Sequence, residues 1–188
     1  DEIQTGAGRT GEWFGYNHEG ITPDAITLAK GIAGGFPIGA LVTFGAASEL
    51  LTPGSHGSTF GGNPLATAVA NAVLGEIEHA GLVENAATRG AQLRTLISGL
   101  GSPLVDEVRG RGLLIGVGLT ADVAGQVVAA AQARGLIINA ANPSTVRLAP
   151  ALNIGDAEIE EFQTLFAAAL ADVQASLVAS ETREVPAS

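Results

Sequence analysis

Lys30 is the only lysine among 188 residues, and it lies where the apolar stretch Thr27-Leu28-Ala29 runs into Gly31-Ile32-Ala33-Gly34-Gly35. A lysine amine can condense with a carbonyl, and it becomes nucleophilic when desolvation or a nearby cation lowers its pKa. Amine chemistry in this chain therefore has a single candidate group. The other eight cations are arginines, so a compositional preference could also leave one lysine by accident, and singleness alone assigns no role.

Three further places carry residue types suited to a site. Asp1-Glu2-Ile3-Gln4 opens the chain with a carboxylate and an amide just ahead of the glycine-rich run Gly6-Ala7-Gly8-Arg9-Thr10-Gly11. Ser58-Thr59-Phe60-Gly61-Gly62-Asn63-Pro64 places hydroxyls before a helix start, where unpaired N–H groups and the positive end of the helix dipole favour an anion. Arg147 is a charge inside the apolar strand Thr145-Val146-Arg147-Leu148, and its planar guanidinium is suited to gripping a carboxylate with two hydrogen bonds, although a structural ion pair would read the same way. His18, His56 and His79 show no metal-ligand spacing, and His79 suits the last turn of a helix. The turn Arg109-Gly110-Arg111-Gly112 is too short for a nucleic-acid tract, and the early glycines do not follow dinucleotide-loop spacing.

The elements that must hold these groups divide into two kinds. Ala25–Ala29 and Ile38–Phe44 read as buried strands that need cover on both faces. A helix begins at Pro64 behind an Asn63 cap and runs to His79, and a second spans Leu82 to Ile97 with a stripe of Leu82, Val83, Ala86, Leu93 and Leu96 or Ile97. Beyond Leu100 the pattern changes to a small α+β unit. Val105–Arg109 and Leu113–Leu119 form a strand pair about the Gly110–Gly112 turn, and a helix covers Ala121–Arg134. Leu136–Asn139 and Thr145–Leu148 are further strands, and Asp156 caps a last helix reaching about Leu177. The expected division is 1–99 for part of a larger α/β domain, 100–179 for the small α+β domain, and 180–188 for a disordered tail.

A hydrophobic content of 46% is ample for a packed core, and a net charge of −10 disfavours nucleic acid and anionic membranes as partners. The absence of cysteine excludes disulfides and thiolate metal sites and fits a cytoplasmic protein. Apolar runs such as Leu113–Leu119 are far shorter than the roughly 18 residues a membrane span needs. The acidic opening without methionine is what a cut chain would show.

Asp1 and Lys30 together supply what a pyridoxal phosphate site requires, an amine to hold the carbonyl and a carboxylate to keep the pyridine nitrogen protonated. The run Asp1-Glu2-Ile3-Gln4-Thr5-Gly6-Ala7-Gly8-Arg9-Thr10-Gly11 resembles the aspartate motif of the class III, fold-type I aminotransferases, and Ile21-Thr22-Pro23-Asp24 through Lys30-Gly31 resembles their lysine motif. The resemblance extends to about Leu170 and implies the C-terminal part of such a fold, a portion of a mostly parallel sheet followed by the small α+β domain. It implies that Lys30 holds the cofactor and is catalytic, that Asp1 pairs with the pyridinium, and that Gln4 lies beside the ring hydroxyl. Gly57-Ser58-Thr59-Phe60-Gly61-Gly62 matches a segment whose threonine binds the cofactor phosphate of the neighbouring subunit in a homodimer, with Ser58 near the amino-acid substrate. Arg147 would take the α-carboxylate of glutamate or 2-oxoglutarate; Ala151 stands where the family usually has a proline. The wording of Leu51–Phe60 and Val108–Leu114 narrows the implied reaction to amino transfer between N-acetylornithine and 2-oxoglutarate. Ornithine, succinylornithine or 4-aminobutyrate as donor, or an aminomutase of the same fold, remain alternatives. The first half of such an enzyme would supply another phosphate loop, an aromatic stacked on the ring and a second carboxylate-binding arginine, so this chain alone is expected to be inactive.

Overall fold

The computed structural model describes residues 1–184, which fall into two compact units, Asp1–Thr88 and Arg89 onward. The sequence pattern places the change after residue 99, whereas the division lies inside a helix. The reason is visible in the partners of that helix's second half, where Arg94 donates to the Gly112 carbonyl and Arg89 pairs with Asp156, both in the later unit.

In the first unit, residues 3–10 form successive turns. Strand β1 (Ala25–Leu28) pairs antiparallel with β2 (Ala40–Thr43) in the register Ala25↔Thr43 to Leu28↔Ala40. Residues 29–39 are too few for the helical crossover that a parallel pair needs, and large mixed sheets commonly carry an antiparallel member. Both strands were expected to be buried, but only Ile26 is; Leu41, Val42 and Phe44 are exposed. Apolar patterning records a requirement for cover and says nothing of which element supplies it. Helix α1 (Pro64–His79) starts as its sequence dictates, with Asn63 Oδ1 accepting the Ala66 N–H at 3.0 Å and Pro64 in the first turn. His79 Nδ1 lies 2.9 Å from the Gly75 carbonyl in the last turn. Helix α2 (Leu82–Ser98) buries Val83, Ala86, Leu93 and Ile97, which resolves the stripe in favour of Ile97.

The second unit is a four-stranded antiparallel sheet in the order β3-β4-β6-β5, from β3 (Val105–Arg111), β4 (Leu114–Leu119), β5 (Asn139–Asn142) and β6 (Thr145–Leu148). Helices α3 (Ala124–Gln132) and α4 (Asp156–Glu184) complete it. Ile115, Val117 and Val146 of the sheet are buried, as are Val127 of α3 and Phe162 and Phe166 of α4, whose rings stack at 5.1 Å.

Several boundaries differ from expectation for local reasons. The β3–β4 ladder continues through Gly110 to Arg111↔Leu114, because Gly110 at φ 123° lets the Leu114 carbonyl come where a Cβ would stand. Strand β5 lies three residues later than the apolar run Leu136–Ile138 suggests. Its partner β6 ends at Leu148, just before Ala149-Pro150, and proline cannot extend a ladder. Helix α3 is shorter than expected at both ends, since the Ala124 N–H is drawn to the Pro143 carbonyl and the chain tightens through Arg134 into Gly135. At α4 the expected Asp156 cap is instead Gly155, whose N–H donates to Glu158 Oε2 at 3.0 Å while its carbonyl receives Ile159 N–H; Asp156 pairs with Arg89. That pairing lowers the Asp156 pKa. The helix also runs past Leu177 to Glu184, as no proline or glycine intervenes before Pro186; residues 185–188 of the expected tail lie outside those described. By length and composition alone α4 could span a membrane over Asp156–Ser180, contrary to the reading of short apolar runs, but its Ile159, Phe166 and Leu170 are core residues of this unit.

Gly90 shows how tightly α2 meets the β3–β4 turn, because a Cβ there would lie 1.9 Å from the Gly112 carbonyl oxygen. Two backbones cannot separate without dismantling the unit. Gly90→Ala is expected to destabilise the second unit by more than ~3 kcal/mol in urea unfolding. Gly125→Ala, in open space at the start of α3, is expected to stabilise it by ~0.5–1 kcal/mol.

Candidate cofactor and substrate site

Five of the six candidate residues, Asp1, Gln4, Lys30, Ser58 and Thr59, belong to the first unit, and Arg147 belongs to the second. Asp1 is tied to β1, the strand that leads into Lys30. The Glu2 N–H donates to the Thr27 carbonyl at 2.9 Å, which lays the start of the aspartate motif along the strand. The Thr27 hydroxyl reaches Asp1 Oδ1 at 3.4 Å, and the Ile3 N–H donates to the same oxygen at 2.8 Å. One carboxylate oxygen is thus engaged, and the other has no bonded partner among the described residues, so it is free to accept a proton-bearing nitrogen.

Lys30 follows β1 directly after Ala29 and opens a short 3-10 turn, Lys30–Ala33. Its φ of 48° puts a non-glycine residue in the left-handed region, shared among non-glycine residues described only by Ala7 at φ 54°. Such a conformation costs on the order of 1–3 kcal/mol and persists only where neighbouring structure enforces it. Here Ile32 and Ala33 are buried, and a Cβ on Gly34 would already touch Val73 of α1, so the turn is pinned immediately behind the lysine. Lys30 as a residue is exposed.

The loop of residues 1–19 is organised by a residue that sequence reading passed over. Glu2 is 6% exposed, and its carboxylate accepts the Thr5 hydroxyl, the Gly15 N–H at 2.8 Å and the Tyr16 N–H at 3.0 Å. Burial pushes its pKa up, but the bonds from Thr5, Gly15 and Tyr16 outweigh burial and hold it below the ordinary glutamate value. Gly8 and Gly11, both at positive φ, let the loop approach Val83 and Ala87 of α2, which gives the early glycines a packing role. Thr10 is buried with His18 Nε2 at 3.1 Å from its hydroxyl, so this histidine ties the loop together. Among the described residues no group of His, Asp and Glu is arranged to hold a metal.

Ser58 and Thr59 lie on an exposed segment, where Ser58 Oγ accepts the Gly61 N–H at 3.1 Å. The expected anion site at the start of α1 is narrower than the sequence suggests, because Asn63 already occupies the Ala66 N–H and Pro64 has none. The Thr59 hydroxyl and the Leu65 N–H are the groups left there. Phe60 beside it is 80% exposed, and Leu65 is exposed as well. Gln4 is half-buried.

Arg147 stands on an interior strand of its sheet, not at an edge, directly between Gly116 and Asn139. No carboxylate pairs with it among the described residues; its Nε donates to Asn139 Oδ1 at 3.1 Å. Arg147 and Asn139 also line a cavity of about 410 Å³ with Ile138, Leu148 and Phe162 and with the acidic residues Glu158 and Glu161.

The family model for aminotransferase class-III matches residues 1–170. The chain belongs to the class-III aminotransferases. It is 55% identical over 163 residues to the acetylornithine aminotransferase of Streptomyces coelicolor, a match covering 86% of this chain and 40% of that protein. It is likewise 55% identical over 162 residues to the enzyme of that name from Mycobacterium tuberculosis, over 86% of this chain and 40% of the relative. Among solved structures, the acetylornithine aminotransferase from Elizabethkingia anophelis superposes with a TM-score of 0.85 at 33% identity, covering 91% of this chain and 46% of that one. The ornithine aminotransferase from Toxoplasma gondii, described with pyridoxal phosphate at partial occupancy, gives 0.87 at 35% identity over 94% of this chain and 43% of the other. The fold is therefore part of a fold-type I aminotransferase, and the chain spans about 40% of the length of the curated relatives it matches.

Because Glu2 binds its partners as a carboxylate with a lowered pKa, its contribution to stability is present above the unfolded-state value of about 4.3 and is lost as pH falls through the lower folded value. Glu2→Gln is expected to lower stability by ~1–3 kcal/mol at pH 7. The gap between wild type and variant should close in urea titrations as pH falls below the folded Glu2 value; a gap independent of pH would show that the charge plays no part.

Proposed function

We propose that the whole protein is a pyridoxal-phosphate-dependent aminotransferase that moves an amino group between N-acetylornithine and 2-oxoglutarate. The observation that carries the reading is the carboxylate of Asp1 tied by Thr27 to the strand that delivers Lys30. The donor set fits the cofactor: one amine on a pinned turn, one carboxylate with an oxygen to spare, and an exposed hydroxyl at Thr59. Bound there, pyridoxal phosphate supplies a carbonyl that condenses with amines and a ring that stores the electron pair released at the substrate Cα.

Each residue of the chain then has a definite task. The Asp1 carboxylate accepts from the pyridine nitrogen and keeps its proton in place, and Gln4 serves the ring hydroxyl. The Lys30 amine would hold the cofactor and, when free, would serve as the base that takes the proton from the substrate Cα. Arg147 grips the α-carboxylate of glutamate or 2-oxoglutarate with two parallel N–H···O bonds. Ser58 faces the amino-acid substrate. Thr59 binds the phosphate of the partner subunit's cofactor, a reading supported by the apolar exposure of Phe60 and Leu65 around it, which suits a surface covered in a homodimer. The lack of cysteine is in keeping with a cytoplasmic enzyme.

The test is glutamate formation by the whole protein from N-acetylornithine and 2-oxoglutarate. Lys30→Ala is expected to lower kcat by about 10³-fold or more, the scale of a lost proton-transfer group. Faster turnover with ornithine, succinylornithine or 4-aminobutyrate would reassign the donor. Isomerisation of an amino acid with no glutamate formed would replace the transaminase by an aminomutase.

A further inference from the structure

We infer that Asn139 is a positioning residue for substrate carboxylate recognition, holding the Arg147 guanidinium by Nε so that its two terminal nitrogens face the ligand. This rests on the reading of Arg147 as the carboxylate-binding group. The two residues are directly opposed in the β5–β6 ladder, and Asn139 Oδ1 accepts from Arg147 Nε at 3.1 Å. The amide is fixed in turn at its other end, where Nδ2 donates to the Ala140 carbonyl at 3.2 Å. Asn139 is therefore held in one orientation, oxygen towards the arginine.

The choice of an amide has a chemical consequence. Arg89 and Arg134 of the same unit are paired with the carboxylates of Asp156 and Asp172, and Arg109 with that of Glu107. Arg147 has a neutral acceptor in the place where they have an anion. A carboxylate would orient the guanidinium equally well but would cancel the charge that an incoming anion needs, whereas an amide orients it and leaves the charge intact. On the other flank the neighbour is Gly116, over which lies the Arg109 side chain, a cation already paired with Glu107. With Nε engaged, the edge left for a bidentate grip is the one formed by Nη1 and Nη2. A free arginine side chain carries rotamer entropy, part of which this bond removes before the ligand arrives.

The inference is tested in the whole enzyme with cofactor bound, using glutarate, a dicarboxylate with neither amine nor ketone, in calorimetric titrations, together with KM for 2-oxoglutarate. Asn139→Ala is expected to weaken glutarate binding about tenfold, the scale of one hydrogen bond to a charged group, with the kinetic effect falling on KM for 2-oxoglutarate more than on kcat. Asn139→Asp is expected to weaken it further, by about a hundredfold, because the charge is cancelled. Asn139→Ser, which keeps an acceptor on a shorter arm, should fall between wild type and alanine and stands in if the alanine variant melts early. A merely structural asparagine would show no such order; aspartate binding glutarate as well as alanine does, or variants all equal to wild type, would overturn the assignment. Arg147→Ala separates the two levels. If it leaves glutarate affinity unchanged, the carboxylate site itself is elsewhere and the inference falls with it. If it abolishes binding while the Asn139 variants do not matter, only the positioning role is wrong.

Discussion

The hydrogen bond from the Glu2 N–H to the Thr27 carbonyl is the constraint on which the candidate site depends. It joins two segments far apart in the chain and sets Asp1 beside the strand that ends at Lys30. The Glu2 side chain works from the same point in the opposite direction, gathering the N–H groups of Gly15 and Tyr16 into the loop. One residue thereby fixes the carboxylate on one side and the loop on the other. Without the backbone bond Asp1 would be a solvated acid with no fixed relation to the lysine; without the buried carboxylate the loop would have to satisfy those donors with water.

Strain at Lys30 has the same origin. A left-handed lysine is tolerated because β1 enforces the approach from one side and the buried Ile32-Ala33 turn enforces the departure on the other. Backbone strain of this kind concentrates where a side chain must be presented in one direction. The second unit packs its core around Phe166 and Val117, while Leu50, Phe60 and Leu65 of the first and Ile137 of the second stand exposed.

Features governed by neighbours in sequence were legible without a structure. Asn63-Pro64 announced α1 to the residue, Thr145–Leu148 is a strand with the bounds its pattern gives, and the aspartate and lysine motifs identified the family. Features governed by distant partners were not. The start of β5 is set by where β6 stops, the cap of α4 passes to Gly155 because Arg89 claims Asp156, and the division inside α2 reflects contacts with the β3–β4 turn. Glu2 and Asn139 escaped for the same reason, since their tasks are defined by bonds to Gly15, Tyr16 and Arg147. The signal available was modest: a carboxylate in a glycine-rich turn, and a polar residue closing the run Leu136-Ile137-Ile138.

The claim that Lys30 is the cofactor-bearing group is tested most directly by borohydride reduction of the whole protein loaded with pyridoxal phosphate, followed by peptide mapping. One stable pyridoxyl label per chain is expected, on the peptide carrying Lys30, and it should disappear in Lys30→Arg. A label on another residue, or none, would contradict the claim.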